Sequence, residues 1–271
     1  MRATSEASLA AASERFEPVL TEAGEHARGY GEQLFAVVDA LDSSGSLRRA
    51  LTDPTRTEQD KADLARRLLS PSFSPEVVDL VEGMVRSRWS GDRDLADSLE
   101  ELGTVAVLAS TGSEQALLEV EEQLFRVGRV LTGSRELRVS LGSLDASAER
   151  RVALAREVFA AQLAPQAELL LERTVGALRT RSVTARLSHI GDLAATRRRR
   201  LVAVVTAATP LTLMQRHRLA AALERMYGAP VQLNVGLDPE VLGGLRIQVG
   251  AEVLDATVLS KLSEARRRIA G

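Results

Sequence analysis

The sequence predicts a mainly α protein: two tandem helical bundles related by an internal repeat, followed by a small α+β C-terminal domain. Three observations carry that prediction. Apolar residues recur at helical spacing through roughly the first 200 positions, the chain resembles itself when slid by about 90 residues, and strict apolar–polar alternation is confined to the end.

At 271 residues the chain has room for one large domain or two to three small ones. Hydrophobic residues at 45% and charged residues at 27% are ordinary globular values, which excludes global disorder. Aromatic residues make up only 3%, so the cores are expected to be built from Leu, Val and Ala on helices. A formal net charge of −2 excludes a whole-molecule attraction to nucleic acid or acidic lipid. Cysteine is absent, which excludes disulfides and thiolate metal sites and fits a reducing compartment. Lys61 and Lys261 are the only lysines among the basic residues, an arginine bias that fits a GC-rich genome. The opening stretch MRATSEASLAAASERF lacks the apolar core of a secretory signal, and no window reaches the ~20 apolar residues of a spanning helix. A soluble chain that meets a membrane only through a partner is expected.

Leu9, Ala12, Phe16, Val19 and Leu20 keep helical spacing, as do Leu34, Val37, Val38 and Leu41, predicting two helices over 5–43. Asp42 to Gly45 forms a turn, Leu47 to Leu51 a short helix ended by Asp53-Pro54, and Thr57 opens the next helix. Pro71 and Pro75 bracket a break before the stripe Val77, Leu80, Val81, Met84 and Val85. Asp94 to Ala109 reads as a longer helix.

The self-similarity is ungapped over roughly 60 positions. Glu32-Gln33-Leu34-Phe35 returns as Glu122-Gln123-Leu124-Phe125, and Leu47-Arg48 with Leu51 returns as Leu137-Arg138 with Leu141. Leu64-Ala65-Arg66 returns as Leu154-Ala155-Arg156, and Pro75, Leu80, Glu82 and Val85 as Pro165, Leu170, Glu172 and Val175. Turn residues match as well as apolar ones, so helical period alone does not account for the repeat. The helix at Asp94 to Ala109 is expected to close copy one and open copy two.

The last segment begins after a basic run. Val202, Val204 and Thr206 alternate with Ala203 and Val205, predicting a strand. Thr212 and Gln215 have capping-box spacing ahead of a helix whose buried face is expected to be Leu219, Leu223, Met226 and Tyr227. Gly228 ends that helix and Pro230 prevents its continuation. Val231, Leu233, Val235 and Leu237 give a second strand with one apolar face, and Asp238-Pro239 stops its pairing. Gly243-Gly244 lets the backbone bend before a third strand at Leu245, Ile247 and Val249, and Gly250 precedes a further short strand. Val258, Leu262, Ala265 and Ile269 line one face of a closing helix, with Arg266 to Arg268 in its last turn.

Asp238, Pro239, Gly243, Gly244, Leu245 to Val249, Gly250 and Asp255 together resemble the C-terminal signature of the ATP synthase delta subunit, or oligomycin-sensitivity-conferring protein, family. That family usually has Gly-Ser after the last Asp; Ala256-Thr257 stands here, a mild departure. The resemblance covers about the last 180 residues and implies the division 1–92 (an extra helical copy), 93–200 (the family's N-terminal helical bundle) and 201–271 (its C-terminal domain). Long forms of this kind are associated with actinobacteria. The resemblance further implies a non-catalytic stator subunit on the cytoplasmic face of a bacterial membrane. It would join the N-terminal helix of an alpha subunit to b-type stalk chains without a cofactor. On that reading Leu99, Leu102, Val105 and Ala106 form one wall of an alpha-helix groove, and Val175 and Leu178 the other. The exposed side of the Leu245 to Val249 strand and the last helix would take the stalk chains. Copy one would reach further along the stalk or contact a second chain.

No reactive constellation competes with this. Gly243-Gly244 with Gly250 has neither dinucleotide-fold nor P-loop spacing and precedes a strand, so it reads as a turn or bulge. His26, His189 and His217 are widely separated and have no zinc spacing, and no Ser sits in a G-x-S-x-G elbow. Trp89 fits core filling better than a partner anchor. The alternative function is a helical regulatory or nucleic-acid adaptor working through Arg197–Arg200. Those arginines spread around a helix with no interleaved aromatics, so a solvated helix end or hinge is favoured.

Overall fold

The computed structural model describes residues 2–178, 182–198, 201–228, 231–238, 244–249 and 252–255. The chain divides into two compact units, residues 1–195 and 196–271. The first unit holds α1 (Ala3–Ala23), α2 (Ala27–Ser43), α3 (Gly45–Thr52), α4 (Glu58–Leu69), α5 (Pro75–Arg86), α6 (Asp94–Ala109), α7 (Glu114–Gly133), α8 (Arg135–Gly142), α9 (Ala148–Phe159) and α10 (Pro165–Gly176), with α11 (Val183–Arg198) at its end. A turn of 3-10 helix leads from α1 into α2 and another follows α9.

The helix starts follow from hydroxyl caps, and the caps repeat. Ser44 Oγ accepts from the Leu47 N–H at 3.2 Å and Ser134 Oγ from the Leu137 N–H at 3.3 Å, opening α3 and α8. Thr57 and Ser147 cap α4 and α9 in the same way, accepting from Asp60 and Arg150. Pro75 and Pro165 occupy the first turns of α5 and α10, where no N–H is needed. Tertiary contacts repeat too. Gln33 Oε1 accepts from the Ser74 N–H at 2.7 Å, and Gln123 Oε1 from the Ala164 N–H at 2.6 Å. Arg48 and Arg138 each donate, at 3.1 Å, to a carbonyl in the last turn of the preceding long helix, Leu41 and Leu131. Arg66 pairs with Glu82, and Arg156 with Glu172. The duplication is therefore one of contacts as well as of letters.

Two apolar cores fill the unit. The first draws on Phe16, Leu34, Leu41, Val81 and Met84, and the second on Leu117, Leu124, Leu131, Leu170 and Val175. Helix α6 serves both: Leu95, Leu99, Leu102 and Ala106 enter the first core and Val107 and Leu108 the second. The expectation that this helix closes one copy and opens the next describes its packing. It lies closest to α2, and the glycines make that approach possible. A Cβ on Gly31 would stand 2.8 Å from the Gly103 carbonyl oxygen, and one on Gly103 would stand 2.7 Å from the Phe35 ring. Trp89 is half-buried against the first core and its Nε1–H donates to the Met84 carbonyl at 2.9 Å, so it fills space rather than offering an anchor.

The end of α10 is held by one buried side chain. Arg151 Nε donates to the Val175 carbonyl at 2.7 Å and Nη2 to the Gly176 carbonyl at 3.0 Å. Its Nη1 reaches the Ser143 carbonyl at 3.0 Å and the Ala146 carbonyl. A guanidinium is suited to this because it carries five donors in a rigid fork and remains charged beside the negative helix end. Lys61 takes the equivalent place in copy one, and its burial lowers the ammonium pKa below the ordinary lysine value.

The second unit holds β1 (Leu201–Ala207), α12 (Leu213–Tyr227), β2 (Val231–Leu237), β3 (Leu245–Val249) and β4 (Glu252–Asp255), in the order β2-β1-β3-β4. β1 and β2 run parallel from Leu201 opposite Val231 to Ala207 opposite Leu237, with α12 as the crossover parallel strands require. β3 pairs antiparallel with β1 and β4. Ala203, Val205, Leu223, Val231, Ile247 and Val249 form the core. The capping box is present, with Thr212 Oγ1 accepting from the Gln215 N–H at 3.3 Å and Gln215 Oε1 from the Thr212 N–H at 2.9 Å. Gly228 closes α12 at φ 66°, its N–H donating to the Glu224 carbonyl.

Two expected inward residues are instead exposed. Met226 is 64% accessible because α12 buries only the narrow row Leu219, Leu223 and Tyr227, and Met226 lies about 100° around the helix from its neighbour Tyr227. Leu237 is 59% accessible and ends β2, after which the Asp238 N–H donates to the Ala207 carbonyl at 3.0 Å. Gly244 has φ 91° as the chain enters β3, and the backbone of Asp255 stands opposite that of Arg246 in the antiparallel register of β3 and β4. Pro239, Gly243, Gly250 and the expected closing helix lie outside the described residues.

Replacing Arg151 by Met strands several buried carbonyls, each worth about 1–3 kcal/mol when left unpaired. The Arg151→Met variant is expected to lose about 3 kcal/mol, read as a lower midpoint in urea unfolding. Gly103→Leu has no room against Phe35 and the α2 backbone, and is expected to lower the midpoint by at least as much.

Candidate partner-docking surfaces

The helical unit is organised around charge as well as apolar packing. Arg173 on α10 donates to Glu100 on α6 through Nε at 3.1 Å and through Nη2 at 2.7 Å. Its Nη1 reaches Asp39 on α2 at 2.7 Å, and its guanidinium carbon lies 4.8 Å from the centroid of the Phe35 ring. Arg186 on α11 also pairs with Glu100. One carboxylate on the shared helix thus holds arginines from two helices of copy two, and one of those arginines reaches back to copy one. Burial disfavours the charged form of Arg173, but Glu100 and Asp39 outweigh it and raise the pKa above the ordinary arginine value. His189 Nε2 stands 3.2 Å from Glu101 at the rim of the same cluster.

The six residues expected to line an alpha-helix groove fall into two sets. Leu99, Leu102 and Ala106 lie in the first core and Val175 in the second, all buried. Val105 is half-buried against the first core and Leu178 half-buried against the second. Four of the six are therefore covered by this chain's own helices. Amphipathic spacing showed which residues are apolar but not which neighbour covers them. The Arg173 cluster was not anticipated, since its members are 73 and 134 residues apart. The repeat did hold a signal. Arg173 and Glu100 align with Gly83 and Ala10, so charge appears where the copies differ and meet.

Among the described residues no group of three His, Cys, Asp or Glu side chains is placed to hold a metal ion. No helix among them is long and apolar enough to cross a membrane. Gly244 precedes strand β3, not a helix N-terminus, so its backbone N–H groups make no phosphate cradle of the helix type. Arg197 and Arg198 end α11 half-buried, and Arg199 and Arg200 lie outside the described residues.

The charge cluster separates a buried pair from an exposed one. The Glu100 side chain is 6% accessible and that of Asp39 is 60%. Arg173→Met is expected to cost roughly 3–5 kcal/mol in urea unfolding, nearer the low end because Arg186 still neutralises Glu100. Asp39→Asn is expected to cost under about 1 kcal/mol.

The sequence model of the family described as ATP synthase delta (OSCP) subunit matches residues 104–269, from within α6 to near the end of the chain. ATP synthase subunit delta of Beutenbergia cavernae is 59% identical over 271 residues, covering 100% of both chains. ATP synthase subunit delta of Streptomyces griseus is 44% identical over 271 residues and that of Thermobifida fusca 38%, each again covering 100% of both chains. These relatives extend through copy one as well as through the part the family model matches. A match over more than half the sequence, with relatives aligned from end to end, shows that the chain belongs to the ATP synthase delta (OSCP) subunit family.

Proposed function

We propose that this chain joins the N-terminal helix of an alpha subunit on the catalytic head to the b-type stalk chains of a proton-driven rotary ATP synthase. It is a stator subunit and not an enzyme, as its family membership states. Its work is mechanical: it resists the torque that would otherwise carry the head round with the rotor. The observation that carries this reading is the end-to-end relation to delta subunits, and the packing suits it. A body with two cores joined through one helix resists bending because deformation must disturb close-packed side chains on both sides.

In this reading residues 1–92 are an additional copy, 93–200 the bundle that meets the head, and 201–271 the domain that meets the stalk. The alpha helix would lie over Val105 and Leu178, the half-buried members of the expected set, with Leu99, Leu102, Ala106 and Val175 supporting them from beneath. The b-type chains would meet the exposed Arg246 and Gln248 side of β3 together with the closing helix expected from the sequence. The subunit would sit at the cytoplasmic face of the cell membrane, peripherally and only through the complex. It would need no cofactor and would contact no nucleic acid.

The test uses membranes stripped of the ATPase head, to which head is added back with and without this chain. Head rebinding and coupled ATP synthesis are expected to require the chain; rebinding and coupling in its absence overturn the reading. At the finer level, Val105→Glu and Leu178→Glu are expected to weaken binding of an alpha N-terminal peptide tenfold or more in the folded protein. Unchanged affinity in both variants would move the contact elsewhere.

A further inference from the structure

Helix α11 is held differently from its repeat counterpart α6. Among the described residues α11 buries four of its sixteen, Val183, Leu187, Ile190 and Ala194, where α6 buries eleven of sixteen. Gly31 and Gly103 let α6 close on α2, but their counterparts in the repeat are Glu121 and Leu193, whose side chains rule out an equally close approach of α11 to α7. Gly191, in the middle of α11, serves no such approach: a Cβ there would meet nothing within 4 Å. It lowers helix propensity without a packing contact in exchange. Thr184, Ser188, Asp192 and Thr196 are weak helix formers as well, and no acidic residue stands in the first turn. The helix therefore depends on its tertiary contacts, and its apolar face is narrow.

Two charged contacts to α6 add to that face. Arg186 pairs with Glu100, and His189 Nε2 stands 3.2 Å from Glu101. Removing one partner of a buried ion pair ordinarily leaves the other charge stranded, and that penalty ties a helix to its bundle. Here the penalty is absent. Glu100 also holds Arg173 of α10, so it stays neutralised when Arg186 leaves. Glu101 lies at the rim, where its side chain is 25% accessible and water can replace His189. We propose that α11 is a releasable strap: it leaves the bundle as a unit while α1 to α10 stay folded, and the Arg186–Glu100 pair is its latch. Weak intrinsic helicity, a narrow apolar face and a latch whose buried half keeps a second cation together place α11 at the low end of local stability. The same features set the sign of two substitutions. Loss of the Arg186 charge loosens the strap, and Gly191→Ala tightens it by favouring the helix. The inference concerns the helical unit alone and does not rest on the stator reading.

The test is native-state hydrogen exchange of the full chain at low urea, read peptide by peptide by mass spectrometry. Peptides from α11 are expected to exchange about tenfold faster than those from α6 and α10, through an opening that urea scarcely promotes. Arg186→Gln is expected to speed α11 roughly fivefold and to leave α2, α6 and α10 unchanged. Gly191→Ala, which removes no contact, is expected to slow α11 about fourfold. Exchange of α11 in step with α6, or Arg186→Gln speeding every helix alike, overturns the inference. An α11 rate indifferent to both substitutions does so too. Should Arg186→Gln fail to fold, an unchanged α11 rate in Gly191→Ala is sufficient to overturn it.

Discussion

The double use of α6 is the constraint on which the helical unit depends. A helix with one apolar stripe serves one core; α6 serves two, with Leu95, Leu99 and Leu102 turned to one side and Val107 and Leu108 to the other. That leaves little of its surface for water, and its close contact with α2 through Gly31 and Gly103 removes more. A carboxylate on such a helix has to be neutralised within the protein, and Glu100 is, by Arg173 and Arg186. The same arginine reaches Asp39 and covers Phe35, so the ionic requirement and the packing of one copy against the next are met by one side chain.

Most of the fold was legible in sequence because helices, caps and strands leave local marks. Thr57 and Thr212 with Gln215 marked starts, Pro71 and Pro75 marked a break, and the predicted helix from Asp94 to Ala109 coincides with α6. Local marks do not report which side chain covers which. Leu99, Leu102, Ala106 and Val175 satisfy the pattern of a groove wall, and the same pattern describes a core; only the neighbouring helices decide, and those come from far along the chain. Met226 and Leu237 show the limit on a smaller scale. Each falls in an apolar pattern, yet the sheet and its crossover helix are too small to bury the whole of either row.

The second unit solves a different problem with fewer residues. A parallel pair buries its strands only if a crossover helix covers one face, and α12 contributes a single buried residue, Leu223, with Leu219 and Tyr227 partly covered. Helix α12 itself is fixed by backbone geometry that costs no side-chain burial: the Thr212 and Gln215 box at one end and Gly228 at the other.

Sharing α6 also settles how such a chain can lengthen. Because one helix ends a bundle and begins the next, an added copy brings five helices and no linker. A tether between two complete bundles would be a hinge, free to bend under sideways load. Here the junction is the continuous run of main-chain hydrogen bonds along α6, so flexing one bundle against the other means breaking a helix in the middle. A part whose task is to hold still gains length in this arrangement without gaining a joint.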